Sequence, residues 1–288
     1  MGDWQDGYWW SNDGLRLHYR DYPGDAERPP ILCIPGLTRN ARDYEGLATR
    51  LAGAWRVVVV DLRGRGESAY AKDALSYVPL TYVQDIERLL TELAITRFVS
   101  VGTSLGGIVS MMLAATGRGR IAGVVLNDVG PEIEPAGLAR IRGYVGKSAS
   151  HPTWLHAARA LAEANAAVYP GWQIDDWLTM ARRVHRLNSS GRIVLDYDMR
   201  IAEPFRIPGN ESGVDMWPVL DALKHVPAVI ARGETSDIFA ERTALRMVAE
   251  LGDAELVTVP ATGHAPTLEE PEAAAAIDRM LARVAAAA

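Results

Sequence analysis

Cysteine is almost missing from this chain: Cys33 stands alone among 288 residues. One thiol closes no intrachain disulfide and builds no cysteine metal cluster, and no other pattern of ligands suggests a metal. Long apolar runs are missing as well. No stretch approaches the roughly 18 consecutive apolar residues of a membrane helix, so no membrane partner is expected. Nor is there an excess of positive charge. The 30 Lys and Arg face 36 Asp and Glu, a net charge of −6, and this leaves no basic face for a nucleic-acid backbone. The first residues, Met1-Gly2-Asp3-Trp4-Gln5-Asp6-Gly7, lack a basic segment followed by an apolar one, so no signal peptide is read and a cytoplasmic address is the default expectation.

The chain does have enough apolar material, 48% of residues, for one large α/β domain or a core with a lid. Short apolar runs at Leu15 to Tyr19, Ile31 to Ile34 and Arg56 to Leu62 read as strands. The Val57-Val58-Val59-Val60 run suits a strand buried on both faces. Ala41 to Ala52 and Thr81 to Ala94 show helical spacing. Strand and helix then alternate: Phe98 to Gly102, Leu105 to Ala115 and Ile121 to Asn127; later Ala228 to Arg232, Glu241 to Leu251, Glu255 to Pro260 and Pro271 to Ala288. This order predicts parallel βαβ units and a sheet covered on both faces. From about Pro131 to Pro218 the alternation lapses. That segment holds Trp154, Trp172, Trp177 and Trp217 and reads as a mostly helical insertion, which divides the chain into a core of 1–130 and 219–288 and a lid of 131–218.

The sharpest motif is Gly102-Thr103-Ser104-Leu105-Gly106, a G-x-S-x-G between an apolar strand and a helix. A serine on a tight strand-to-helix turn is thrust out where a base can reach it, and the helix that follows aims its first amides at the same point. Of six histidines, His264 in Thr262-Gly263-His264 lies in a loop after the last strand, late in the chain, where it can swing onto Ser104. An acid is needed to orient that histidine. Asp237 and Asp128 both follow sheet strands, and Glu234 lies near the first. Asp237 is preferred, because its strand directly precedes the histidine's strand and consecutive strands joined by one helix are usually neighbours. An oxyanion needs two amides. Leu105 follows the serine, and Leu37 in Pro35-Gly36-Leu37 sits after an early strand. Arg39, Tyr44, Trp154, Trp172 and Trp177 are candidate substrate contacts, Arg39 for a carboxylate. The tryptophans serve equally well as the lid's own core.

Four pieces in order, Pro35-Gly36-Leu37, Asp61-Leu62-Arg63-Gly64-Arg65-Gly66-Glu67-Ser68, Gly102 to Gly106, and Gly263-His264, resemble the α/β-hydrolase superfamily over nearly the whole chain. The resemblance implies a mostly parallel, doubly wound sheet with a helical cap inserted after the sixth strand and the chain order Ser, Asp, His. It also implies a cofactor-free acyl transfer on a small ester or lactone, with carbon–carbon bond hydrolysis of a ring-cleavage product as the alternative. Asp61 and Arg63 resemble a structural loop of that superfamily. Two other readings are weaker. Gly64-Arg65-Gly66-Glu67-Ser68-Ala69 matches G-x-G-x-x-A, yet no convincing helix follows it to hold a dinucleotide phosphate. A hydrolase fold can also serve as a non-catalytic receptor, although here nucleophile, base and acid candidates are all present.

Overall fold

The structure, a computed structural model, describes residues 4–207 and 215–287. Eight strands form one sheet: β1 (Gln5–Trp10), β2 (Arg16–Tyr22), β3 (Ile31–Ile34), β4 (Val57–Asp61), β5 (Phe98–Thr103), β6 (Ile121–Asn127), and, after a long excursion, β10 (Ala228–Gly233) and β11 (Ala254–Val259). Their spatial order is β1-β2-β4-β3-β5-β6-β10-β11. The pairs from β4 to β11 are parallel, whereas β1 and β2 join as an antiparallel hairpin at one edge. The expected mostly parallel sheet is therefore present. β1 escaped the sequence reading because its residues are mostly exposed and show little alternation.

The apolar runs explain the layering. Along β4 the valines alternate, with Val58 and Val60 in one buried cluster and Val57 and Val59 in the other. Helices α2 (Pro79–Glu92), α3 (Leu105–Thr116) and α8 (Glu241–Leu251) cover the first face, and α1 (Glu45–Leu51) and α9 (Pro271–Ala286) cover the second. A helix was expected over Ala41 to Ala52. The chain instead makes a 3-10 turn at Ala41–Tyr44, capped by the Asn40 side chain on the Arg42 amide, before α1 begins.

Between β6 and β10 lie α4 (Pro135–Tyr144), α5 (Trp154–Asn165), α6 (Ile174–Val184) and α7 (Trp217–Leu220). They are accompanied by a small antiparallel sheet of β7 (Ser150–His151), β8 (His185–Leu187) and β9 (Ile193–Leu195) in the order β7-β9-β8. Strands of two or three residues are too short to leave a period in the sequence. This segment leans on the loops at the carboxyl edge of the main sheet. Asn40 Nδ2 and Arg42 Nε each donate to the Arg183 carbonyl at 2.9 Å, and the Gly263 amide donates to the Val168 carbonyl at 2.7 Å. No helix among the described residues is long and apolar enough to cross a membrane.

Candidate active site

Ser104 stands between β5 and α3 with φ 52° and ψ −116°. An L-residue takes such a backbone only when the surrounding structure imposes it, at a cost of about 1–3 kcal/mol. The neighbours of the turn impose it here. A Cβ at Gly106 would lie 1.9 Å from the Ile34 carbonyl oxygen, and one at Gly102 would lie 2.4 Å from the Gly106 backbone, so only glycine lets β3, β5 and α3 meet this closely. The serine hydroxyl is left facing the loop that follows β11.

That loop carries His264, whose Nε2 lies 2.9 Å from Ser104 Oγ and whose Nδ1 lies 2.7 Å from Asp128 Oδ2. A carboxylate can only accept, so Nδ1 carries the proton and Nε2 is left to accept from the serine hydroxyl. Asp128 is the first residue past β6, at φ 54°, and is fully buried. Its charge is satisfied by donors from the β10 side. The Gly233 amide donates to Oδ1 at 2.8 Å and the Ser236 hydroxyl to Oδ2 at 2.6 Å. Asn127 Nδ2 donates to Thr103 Oγ1 at 3.0 Å and to the Pro266 carbonyl at 2.8 Å, which ties the histidine's loop to the serine's strand. Such a chain can pass a proton from Ser104 to His264 while Asp128 balances the imidazolium.

The choice of Asp237 as the histidine's partner is corrected by this geometry. Asp237 accepts from Arg140 Nε at 2.5 Å and Nη2 at 2.8 Å, and the guanidinium holds its carboxyl below the usual carboxylate range. The topological premise was sound but incomplete. β10 does lie beside β11, yet it also lies beside β6, where Ala231 pairs with Asn127. Asp128 leaves its strand one residue after that pair and stays beneath the histidine. Asp237 comes four residues after Gly233 and has turned outwards to α4. Glu234 is also committed elsewhere, accepting from the Ala261 amide at 2.7 Å.

A cavity of about 130 Å³ opens over Ser104 and His264. Leu37, Arg39, Tyr44 and Trp177 line it, as do Arg140, Tyr144 and Tyr169. Trp154 and Trp172 do not. Trp172 stacks on Tyr169 with ring centroids 3.9 Å apart, and Trp154 packs against the buried cluster of Ala157, Trp177 and Ile193. The aromatic segment is thus partly wall and mostly its own core. Tyr44 acts from below, its hydroxyl meeting Thr103 Oγ1 at 2.7 Å and the Ile34 carbonyl at 3.1 Å.

No protein acceptor among the described residues meets the amide of Leu37 or of Leu105. The sequence reading missed what supports the first of these. Arg65, fully buried, donates from Nε to the Leu37 carbonyl at 2.8 Å and from Nη1 to the Arg63 carbonyl at 2.6 Å. The Ala41 amide donates to Asp61 Oδ1 at 2.6 Å, and His18 Nδ1 meets Oδ2 at 2.7 Å. The next α-helix after β4 begins only at Pro79, so Gly64 to Ala69 opens no helix.

Residues 31–277 match the model of the alpha/beta hydrolase family, and the chain belongs to it. It is similar to a crystal structure of an alpha/beta hydrolase from Novosphingobium aromaticivorans, with 58% identity, a TM-score of 0.95, and coverage of 98% of this chain and 99% of that one. It is also 32% identical to the 3-hydroxybutyrate-oligomer hydrolase of Cupriavidus necator, with 89% of each chain covered. A 2-(acetamidomethylene)succinate hydrolase of Mesorhizobium japonicum is 28% identical over 85% of this chain and 84% of its own.

Proposed function

We propose that this hydrolase cleaves a small carboxylic ester through an acyl-enzyme, with Ser104 as nucleophile, His264 as base and Asp128 as the acid that orients it. The observation that carries the reading is the unbroken chain of hydrogen bonds from Ser104 Oγ through His264 to Asp128, set beneath a cavity and beside two unengaged amides. His264 takes the serine proton as Oγ attacks the carbonyl carbon. The amides of Leu37 and Leu105 receive the oxyanion, where such donors contribute most because charge is developing there. His264 then protonates the departing alkoxide, and water activated by the same nitrogen releases the acid. The insertion acts as a cap, with Arg140, Tyr144, Tyr169 and Trp177 walling the cavity. The relative named for 3-hydroxybutyrate oligomers supports an ester, and the small cavity supports a short acyl group.

Purified protein assayed against p-nitrophenyl esters of graded chain length, lactones and a ring-cleavage dienoate tests the proposal, together with labelling by a fluorophosphonate. Ester turnover with labelling at Ser104, both lost in Ser104→Ala, is expected. Turnover of the dienoate alone would move the activity to carbon–carbon cleavage. Undiminished turnover in Ser104→Ala would refute the mechanism.

A further inference from the structure

The relay explains the floor of the cavity but not its arginines. Arg39 reaches in from the loop after β3 and Arg140 from α4. A Cβ on Gly36 would stand 3.5 Å from Arg39 Cγ and 3.7 Å from Ser104 Cβ, so the Arg39 stem runs beside the nucleophile. Each guanidinium is gripped along the same edge by its own aspartate. Asp43 accepts from Arg39 Nε at 2.5 Å and Nη2 at 2.8 Å, matching the Asp237 contacts to Arg140. In both, Nε and Nη2 are held, and Arg39 Nη2 also meets Met180 Sδ at 2.8 Å, while no second carboxylate among the described residues pairs with either guanidinium. Both arginines and Tyr144 line the same cavity over Ser104.

Stability does not account for the Arg140–Asp237 pair, the more open of the two. Arg140 and Asp237 are each 37% exposed, and ion pairs so open to water contribute at most about 1 kcal/mol. A neutral ester would have no use for two forks beside the serine. A guanidinium fixed along its Nε–Nη2 edge by one carboxylate keeps further N–H groups for a second, and such charge-assisted contacts suit a substrate carboxylate.

Resting on the ester-hydrolase reading above, we infer that Arg39 and Arg140 form a carboxylate-binding subsite, so that the substrate is a small ester that also carries a free carboxylate. Asp237 and Asp43 are then positioning residues that hold the two forks. The subsite also gives Asp237 a task at the edge of the active site without contact to His264.

The experiment compares monoethyl succinate with its uncharged isostere, ethyl 4-methylpentanoate, by kcat/KM. The wild-type enzyme is expected to prefer the half-ester by at least about tenfold. In Arg140→Gln and in Arg39→Gln the ratio of the two kcat/KM values should fall by roughly 10- to 100-fold, the loss of one charge-assisted hydrogen-bonded contact. It should fall chiefly through KM for the half-ester. Arg140→Lys should keep only part of the preference, because a point charge replaces a fork, and Asp237→Asn should lie between wild type and Arg140→Gln. Succinate should inhibit the wild type competitively and inhibit Arg140→Gln at least tenfold more weakly, and thermal melts show that each variant is folded. A wild-type ratio near one overturns the inference, as does an equal loss on both esters in both arginine variants. So does fluorophosphonate labelling of Ser104 with no turnover of the half-ester. In those cases the ester-hydrolase reading stands. No labelling and no turnover of any ester would remove the reading itself, and the inference with it.

Discussion

The loops that leave β6 and β10 start side by side, and each carries an aspartate, yet the two carboxylates do opposite things. Asp128 is fully buried, lies one residue past its strand and holds His264. Asp237 is 37% exposed, lies four residues past its strand and holds Arg140. Chemistry does not separate them, since both are aspartates at the carboxyl edge of the same sheet. Depth does. A loop residue still within reach of the last strand pair meets the backbone amides and hydroxyls of the neighbouring strand. One that has travelled a full turn meets the segment lying over the sheet.

The comparison can be broken most forcefully at Ser104, the proposed nucleophile. Ser104→Ala should lower kcat by about a million-fold, a loss of the size seen for a triad serine in another hydrolase. If Asp128 works only through His264 and Ser104, adding Asp128→Asn to that variant should lower the residual rate no further. A further large drop in single-turnover assays would give Asp128 a second task. Stability should separate the two aspartates next. Asp128→Ala leaves the Gly233 amide, the Ser236 hydroxyl and His264 Nδ1 without their acceptor, at an expected cost of about 3 kcal/mol. Asp237→Ala breaks a half-exposed pair and should cost under about 1 kcal/mol. Urea melts of both proteins check the difference, and equal costs would contradict the contrast in burial.

Ser236 allows a finer cut, because it belongs to the same loop as Asp237 but serves Asp128. Ser236→Ala should reduce kcat on a neutral ester about tenfold, the loss of one charge-assisted bond to the acid. No effect on kcat would mean that Asp128 needs only the Gly233 amide. The smallest effect concerns pH. Arg140 holds the Asp237 carboxyl below its unfolded value, so the pair adds stability above about pH 4, and that stability is lost as pH falls through the folded value. Between pH 5 and 3, wild type should therefore lose slightly more Tm than Asp237→Asn, less so in high salt. Parallel curves would show that the pair contributes nothing.

Much of this contrast lies beyond what a sequence displays. The valine run of β4, the alternating order that follows, and the Gly102 to Gly106 turn are local patterns, and they pointed to the sheet, its parallel strands and Ser104. His264 was legible because few histidines follow a sheet strand so late in the chain. Asp128 and Asp237 were both visible, but choosing between them required knowing that β10 pairs with β6 as well as β11, and how far each loop had turned. Arg65 sat in a motif already read as structural, and its support of Leu37 depends on an arginine pointing inward, against the usual habit of that residue. The tryptophans of the 131–218 segment gave no sign of which ones face the cavity, because core and wall share one composition.

The most direct measurement is the kcat of Asp128→Asn and of Asp237→Asn, side by side on one uncharged p-nitrophenyl ester, with folding checked by thermal melts. The expected result is a loss of up to ~10⁴-fold in Asp128→Asn, whose amide stabilises the wrong histidine tautomer, and less than about tenfold in Asp237→Asn. The reverse pattern, with Asp237→Asn crippled and Asp128→Asn close to wild type, would contradict the relay that joins Ser104, His264 and Asp128.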